Sequence, residues 1–197
     1  GPAVEGVRCL DAGASTGGFT DVLLRRGAGH VVAVDVGYGQ IAWRLREDPR
    51  VTVLERTNVR TLDPAAVAPA PGLVVGDLSF ISLTLVIPSL VRAAAAEADF
   101  LLLVKPQFEV GRERLGAGGV VRDTRLHAET VMAVSACARS HGLDVLAAIA
   151  SPLPGPAGNV EYFLHMRAGS GQEPDGGLES AVRSAIATGP AGKEARK

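Results

Sequence analysis

The sequence predicts an α/β fold in which a mainly parallel sheet is covered by helices on both faces. Three observations carry this: short apolar runs alternate with helical patterns, the inner runs are apolar almost throughout, and the last two runs are joined without a helix. The alternation calls for crossovers, and the apolar inner runs call for cover on both sides. The helix-free ending makes the final pair antiparallel, because a parallel return would need a crossover.

Taken in order, VRCLDAG reads as a buried strand, and GGFTDVLLRRG as a helix with Phe19, Val22 and Leu23 on one face and Gly27 closing it. HVVAVD is a second strand, AWRLRED a helix, VTVLE a third strand and GLVVGD a fourth. A long helix is expected from about Ser82 to Ala96, then a fifth strand, DFLLLV. After a Gly-rich loop, Asp123 or Thr124 can cap a helix that runs to about His141 and ends at Gly142. LDVLAAIAS, a proline-containing loop and VEYFLHMR close the sheet. From Ala168 onward Gly, Pro, Ala and charge dominate, so residues 168–197 are expected to be a largely mobile tail with at most a short helix over 178–187.

With 197 residues and 47% hydrophobic content the chain can bury one ordinary core. The longest uncharged stretch, Leu78 to Val91, is broken by Ser, Thr and Pro and falls short of the roughly 18 apolar residues of a membrane span. No signal-peptide pattern opens the sequence. Cys9 and Cys137 sit among apolar residues and are expected as buried free thiols, which places the protein in the cytoplasm. The net charge of -1 leaves no global basic field, so a nucleic acid would have to be gripped by local arginines. His30, His127, His141 and His165 lack metal-ligand spacing and no CxxC occurs, so no metal is expected.

The stretch LDAGASTGGFT follows the first strand and opens the first helix, where a Gly-rich loop lets a nucleotide-like ligand approach the backbone. A dinucleotide fingerprint would need glycine at Ser15. The glycines are instead Gly13, Gly17 and Gly18, with Asp11 before them, an acid that would repel pyrophosphate but suits an ammonium group. Asp35 ends the second strand, where an acid takes ribose hydroxyls, and Asp77 ends the fourth. Carboxylates converging on one crevice favour a cationic cofactor, for which S-adenosylmethionine is the fit. Asn58, after the third strand, is placed to meet an adenine amino group. Strand-ending aspartates that only begin turns are the alternative.

Lysine stands only at Lys105, Lys193 and Lys197 in a chain that elsewhere uses arginine. Lys105 ends the fifth strand, Asp77 ends the fourth, and Glu161 enters on the last strand from the same sheet edge. An amine between carboxylates beside a methyl donor suggests transfer to a hydroxyl. Flanking carboxylates would keep the amine cationic, to stabilise a developing alkoxide. Desolvation would favour the neutral form, which can act as general base; the sequence leaves both roles open. A structural ion pair at the sheet edge is the alternative. The loop GRERLGAGGVVRD, residues 111 to 123, adds arginines and glycines above this site as a lid or a clamp on RNA phosphates.

LDAGASTGGFT, DVGYGQIAWRLR, ERTN, GDLSFISL, LVKPQFEVG, GAGGVV and SPLPGPAGNVEYF together resemble the TlyA family, hemolysin-named ribosomal RNA 2′-O-methyltransferases related to FtsJ-type enzymes. The resemblance runs from about Arg8 to Arg167. It implies a class I methyltransferase sheet of order 3-2-1-4-5-7-6, S-adenosylmethionine as cofactor, and methylation of cytidine ribose hydroxyls in 16S or 23S rRNA, a modification tied to capreomycin and viomycin susceptibility. Of the family's Lys-Asp-Lys-Glu set it carries over Asp77, Lys105 and Glu161. It also implies a cofactor-binding set of Asp11, Gly13, Ala14, Ser15, Thr16, Gly17, Gly18, Phe19, Asp35, Val36, Asn58 and Asp77. The first lysine of the set and the S4-like RNA-binding domain precede this region in the family and have no counterpart here. The expectation is therefore a methyltransferase domain over residues 1–167, part of a larger protein, monomeric, partnered by ribosomal subunits, and weak in rRNA methylation by itself. A nicotinamide dehydrogenase is opposed by Ser15, an amino-group methyltransferase by DLSF where (Asp/Asn)-Pro-Pro-aromatic would stand, and a membrane-active hemolysin by the lack of a spanning segment.

Overall fold

Seven short apolar segments form one mixed sheet of order β3-β2-β1-β4-β5-β7-β6, the order the family resemblance implies. They are β1 (Arg8–Ala12), β2 (His30–Val34), β3 (Val51–Leu54), β4 (Leu73–Gly76), β5 (Asp99–Val104), β6 (Leu143–Ala150) and β7 (Tyr162–Ala168). β1 pairs in parallel with β2 and β4, β2 with β3, and β4 with β5, whereas β6 and β7 pair antiparallel. β4 is buried at every residue, while β3, at the end of the order, is half-buried throughout. That gradient is what position in a doubly covered sheet dictates. The computed structural model describes residues 1–194, so Ala195 to Lys197 of the expected tail lie outside the described residues.

The Cα positions cluster into two compact units, Gly1–Leu78 with Leu85–Leu102, and Ser79–Thr84 with Leu103 onward. In the first, α1 (Gly18–Arg25) buries Thr20, Leu23 and Leu24 against a core that includes Cys9, Val31, Ala33, Ile41, Leu45 and Val75. Phe19 packs partly buried against the same core. Val22, expected on the apolar face, is 46% exposed, because the buried i, i+3, i+4 stripe starts at Thr20 and passes it by. α2 is only Trp43–Arg46, and Trp43 is 72% exposed. The long helix expected from Ser82 to Ala96 is broken: a 3-10 turn at Leu83–Leu85 precedes α3 (Ile87–Ala93). Pro88 supplies the break, since a helix tolerates proline in its first turn but not in its interior.

In the second unit α4 (Pro106–Glu109) follows β5 directly, with Lys105 as its N-cap residue. α5 (Thr124–Ser140) is capped by Asp123, whose side chain accepts from Arg125 N at 2.9 Å, and Gly142 follows it at φ 81°. His127, fully buried on α5, meets Tyr162 Oη at 2.8 Å and Val121 O at 2.8 Å. The short helix expected over 178–187 is present as α6 (Leu178–Thr188), which packs on β6 and α5, and α7 (Pro190–Glu194) follows it. In α6, Leu178, Val182, Ala185 and Ile186 are buried in a helical stripe. Both thiols are free, but only Cys9 is fully buried; Cys137 is half-buried. Among the described residues no helix is long and apolar enough to cross a membrane.

Candidate active site

The Gly-rich loop leaves β1 at Asp11 and Ala12 and is held from below by the sheet. Gly13 N and Ala14 N both donate to Val34 O, at 2.8 and 3.1 Å, and Asp77 N donates to Ala12 O at 3.2 Å. Gly13 has φ +83°, and a Cβ there would lie 2.8 Å from the Asp77 carbonyl oxygen. Gly17, at φ +97°, would drive a Cβ into Leu45. Glycine is thus required at both positions, by backbone sign and by space. Ala14 is buried, while Ser15, Thr16 and Gly18 are exposed, and Ser15 itself takes φ 49°.

The acids of the first unit divide their work. Asp35 pins the loops: its Oδ2 accepts from Ser15 N at 2.8 Å and its Oδ1 from Gly37 N at 2.7 Å. Each oxygen keeps a second lone pair for a ribose hydroxyl. Val36 beside it is 66% exposed, and Asp77 is exposed. Asp11 is 1% exposed; its Oδ2 accepts from Thr20 Oγ1 at 2.7 Å, whereas its Oδ1 is buried without a hydrogen-bond partner. Burial pushes the Asp11 carboxyl up to about 6 against the Thr20 bonds, with Asp77 and Asp35 adding repulsion. Asn58 caps a 3-10 turn, its Oδ1 accepting from Arg60 N at 3.0 Å, so its orientation is fixed by the chain before any ligand arrives. An unpaired buried carboxylate oxygen, two further acids and a cradle that a Cβ would fill match a cationic adenosyl ligand better than an anionic dinucleotide.

The second unit holds the amine. Lys105 is 7% exposed, and its Nζ donates to Ser79 Oγ at 3.0 Å and lies 4.0 Å from Glu161 Oε1. Gln107 Nε2 donates to the same Glu161 oxygen at 3.2 Å. Glu161 is 6% exposed, and its backbone oxygen accepts from Ser151 N at 2.8 Å. A Cβ at Gly155 would stand 2.4 Å from Glu161 Oε1, so a side chain there would push the carboxylate out of this position. Lys105 and Gln107 line a cavity of about 610 Å³ with Ser79, Phe80, Phe108 and Arg112. Phe80 is 90% exposed, and its ring centroid lies 5.0 Å from that of Phe108. At the cavity Asn159 ties down the loop over residues 111 to 123, its Oδ1 accepting from Val121 N at 3.1 Å and its Nδ2 donating to Gly119 O at 3.0 Å.

Lys105 and Glu161, expected together, are together. Asp11, Gly13, Asp35 and Asp77 gather in the first unit, also as expected. Residues the sequence reading passed over are Ser79, Gln107 and Glu109. Glu109 Oε2 accepts from Ser82 Oγ at 2.5 Å and Oε1 from Leu83 N at 2.8 Å, and burial outweighs these bonds to raise its carboxyl above the ordinary range. In the loop over residues 111 to 123, Arg114 anchors back to Glu129 at 2.6 Å, and Arg112 faces the cavity.

One unit thus holds a glycine cradle flanked by acids, and the other a buried Lys–Glu pair beside a cavity. The chain is 60% identical over 189 residues to the 16S/23S rRNA (cytidine-2′-O)-methyltransferase TlyA of Mycobacterium tuberculosis, covering 95% of this chain and 70% of that one. A solved structure from Streptococcus thermophilus bearing a hemolysin designation shares 38% identity at a TM-score of 0.91, covering 99% of this chain and 70% of that one. An S-adenosylmethionine-dependent methyltransferase from Mesorhizobium loti, at 16% identity and a TM-score of 0.61 over 84% of this chain and 93% of that one, shares the fold. The FtsJ-like methyltransferase model matches residues 2–168, which take in the glycine cradle, Asp77, Lys105 and Glu161 alike, and the chain therefore belongs to the FtsJ-like methyltransferase family.

Proposed function

We propose that this chain transfers a methyl group from S-adenosylmethionine to the 2′-hydroxyl of a cytidine in 16S or 23S ribosomal RNA, and does so in the cytoplasm. The observation that carries the reading is the buried Lys105 amine, 3.0 Å from Ser79 Oγ and 4.0 Å from Glu161, at the wall of a cavity of about 610 Å³. A name carried by a relative at 60% identity supports the substrate. Residues 1–167 would form the methyltransferase part, with 168–197 as an accessory segment.

Bound S-adenosylmethionine would supply an electrophilic methyl group on a sulfonium. Asp11, Asp35 and Asp77 favour such a cation, Gly13 lets the backbone come close, and Asn58 stands ready for the adenine. A ribose hydroxyl is a poor nucleophile, and its proton must leave as the new O–C bond forms and the sulfur–methyl bond breaks, its electron pair staying on sulfur in the departing thioether. In our reading Lys105 is the group that takes that proton. The ammonium so formed is stabilised by Glu161, which strengthens the contact only as the transition state develops. Asp77 completes the catalytic set on the strength of its GDLSF motif.

Lys105→Arg separates this from a structural ion pair. Guanidinium keeps the positive charge but cannot accept a proton. Single-turnover methylation of ribosomal subunits, with the chain in excess, should fall by about a thousandfold, while calorimetric affinity for S-adenosylmethionine stays within twofold. Methylation retained by Lys105→Arg, or methyl groups found on a base rather than on ribose, would overturn the reading.

A further inference from the structure

Among the residues that line the cavity are two groups far apart in sequence: Ser79 and Phe80, and Lys105, Gln107 and Phe108. The first lies in the stretch Ser79–Thr84, which clusters with the second unit although the residues on either side of it belong to the first. Something must hold that stretch where it is. Its own backbone is a weak holder, since Phe80 sits at φ 63°, a region costly for a residue with a side chain. The polar contact that binds it to α4 is the Glu109 carboxylate, which accepts from Ser82 Oγ at 2.5 Å and from Leu83 N at 2.8 Å. Ser82 Oγ is in turn 2.7 Å from Thr84 Oγ1 and accepts from Thr84 N at 3.2 Å, so the carboxylate closes a knot of side-chain and backbone bonds. Glu109 lies at the end of the four-residue helix that begins just after Lys105.

We infer that Glu109 is a positioning residue for methyl transfer: by clamping Ser82 and Leu83 onto α4 it holds Ser79 Oγ within reach of the Lys105 amine and Phe80 against Phe108. This rests on the function proposed above for Lys105. A charged acceptor for a hydroxyl and a backbone N–H makes bonds about twice as strong as neutral ones. Through them a six-residue stretch inherits the rigidity of α4, and with it the donor geometry of Lys105. Glu109 itself touches no reacting atom, so its effect would reach the chemistry only through Ser79 and the two rings.

The test uses the whole chain and two independent readouts. Glu109→Gln removes one acceptor oxygen, and single-turnover methylation of ribosomal subunits should fall by about 10- to 100-fold, with affinity for S-adenosylmethionine unchanged within twofold. Ser82→Ala should lower the rate in the same direction and, combined with Glu109→Gln, add little to it, because both variants break one knot. In the second readout, amide exchange at Leu83 in Glu109→Ala, without RNA or methyl donor, should accelerate at least tenfold while β1 through β4 keep their protection. Unchanged exchange at Leu83, wild-type turnover in Glu109→Gln, or full additivity with Ser82→Ala would each overturn the inference. A wild-type chain that labels no ribose would refute the proposed reaction, and the exchange result would still decide the clamp.

Discussion

The glycine cradle and the cavity beside Lys105 are built in opposite ways. In the cradle the backbone does most of the bonding: Gly13 and Ala14 to Val34, Asp77 to Ala12, and two loop amides to the Asp35 carboxylate. Around the cavity the bonds that hold the amine and its neighbours run mostly from side chains, Lys105 to Ser79, Gln107 to Glu161, Ser82 to Glu109. A backbone-built site depends on the absence of side chains where the chain must pass closely. A side-chain-built site depends on charge and donor count at each member. The first should therefore fail through added atoms, and the second through lost chemistry.

The largest effect expected from that contrast is at Glu161. Glu161→Gln can still accept from Gln107 but leaves the Lys105 ammonium without its counter-charge in a buried setting. Removing one partner of a buried pair costs about 3–5 kcal/mol, here felt where the ammonium forms. Single-turnover methylation should drop by about 100- to 1,000-fold, with binding of S-adenosylmethionine untouched. Parallel loss of cofactor affinity would show that the two regions are not separable in this way.

Gly13→Ala is the matching break on the other side. The added Cβ meets the Asp77 carbonyl oxygen at 2.8 Å and must adopt φ +83°. Strain of this kind costs about 1–3 kcal/mol, so cofactor affinity should weaken by about tenfold or more, with a lower unfolding midpoint. A Gly13→Ala chain that binds S-adenosylmethionine as the wild type does would remove the close-approach argument.

The same contrast explains what the sequence disclosed. The strands were legible because each is a short apolar run ended by Gly or Asp, and the cradle because its glycines and acids are neighbours in the chain. Lys105 stood out by residue type alone. Glu109 gave no signal, since its partners lie 26 and 27 residues away and meet it only through the path of Ser79–Thr84. Gln107 was hidden for the same reason: its partner, Glu161, is 54 residues on. The helix expected over Ser82–Ala96 failed at Pro88, a local rule that the apolar run of Leu83, Leu85, Val86 and Ile87 outvoted in the reading. The helix expected over 178–187 is there, because its stripe of Leu178, Val182, Ala185 and Ile186 keeps a helical period between the flanking Gly and Pro.

The smallest expected effect is a proton linkage at Asp11, and its sign follows from burial. The carboxyl is held up at about 6 in the folded chain against an ordinary 3.8, chiefly by desolvation. Between those values the folded chain binds more protons than the unfolded one, so stability falls as pH rises from 3.8 to 6, by of the order of 3 kcal/mol in all. A cation entering the cradle reverses the preference, because it favours the carboxylate. Affinity for S-adenosylmethionine should therefore climb about tenfold between pH 5 and pH 7 and level off above that. Asp11→Asn, which keeps the shape and can still accept from Thr20, should bind more weakly at pH 7 and lose the slope between pH 5 and 7. A slope that persists in Asp11→Asn would leave the unpaired Asp11 oxygen without a role in binding.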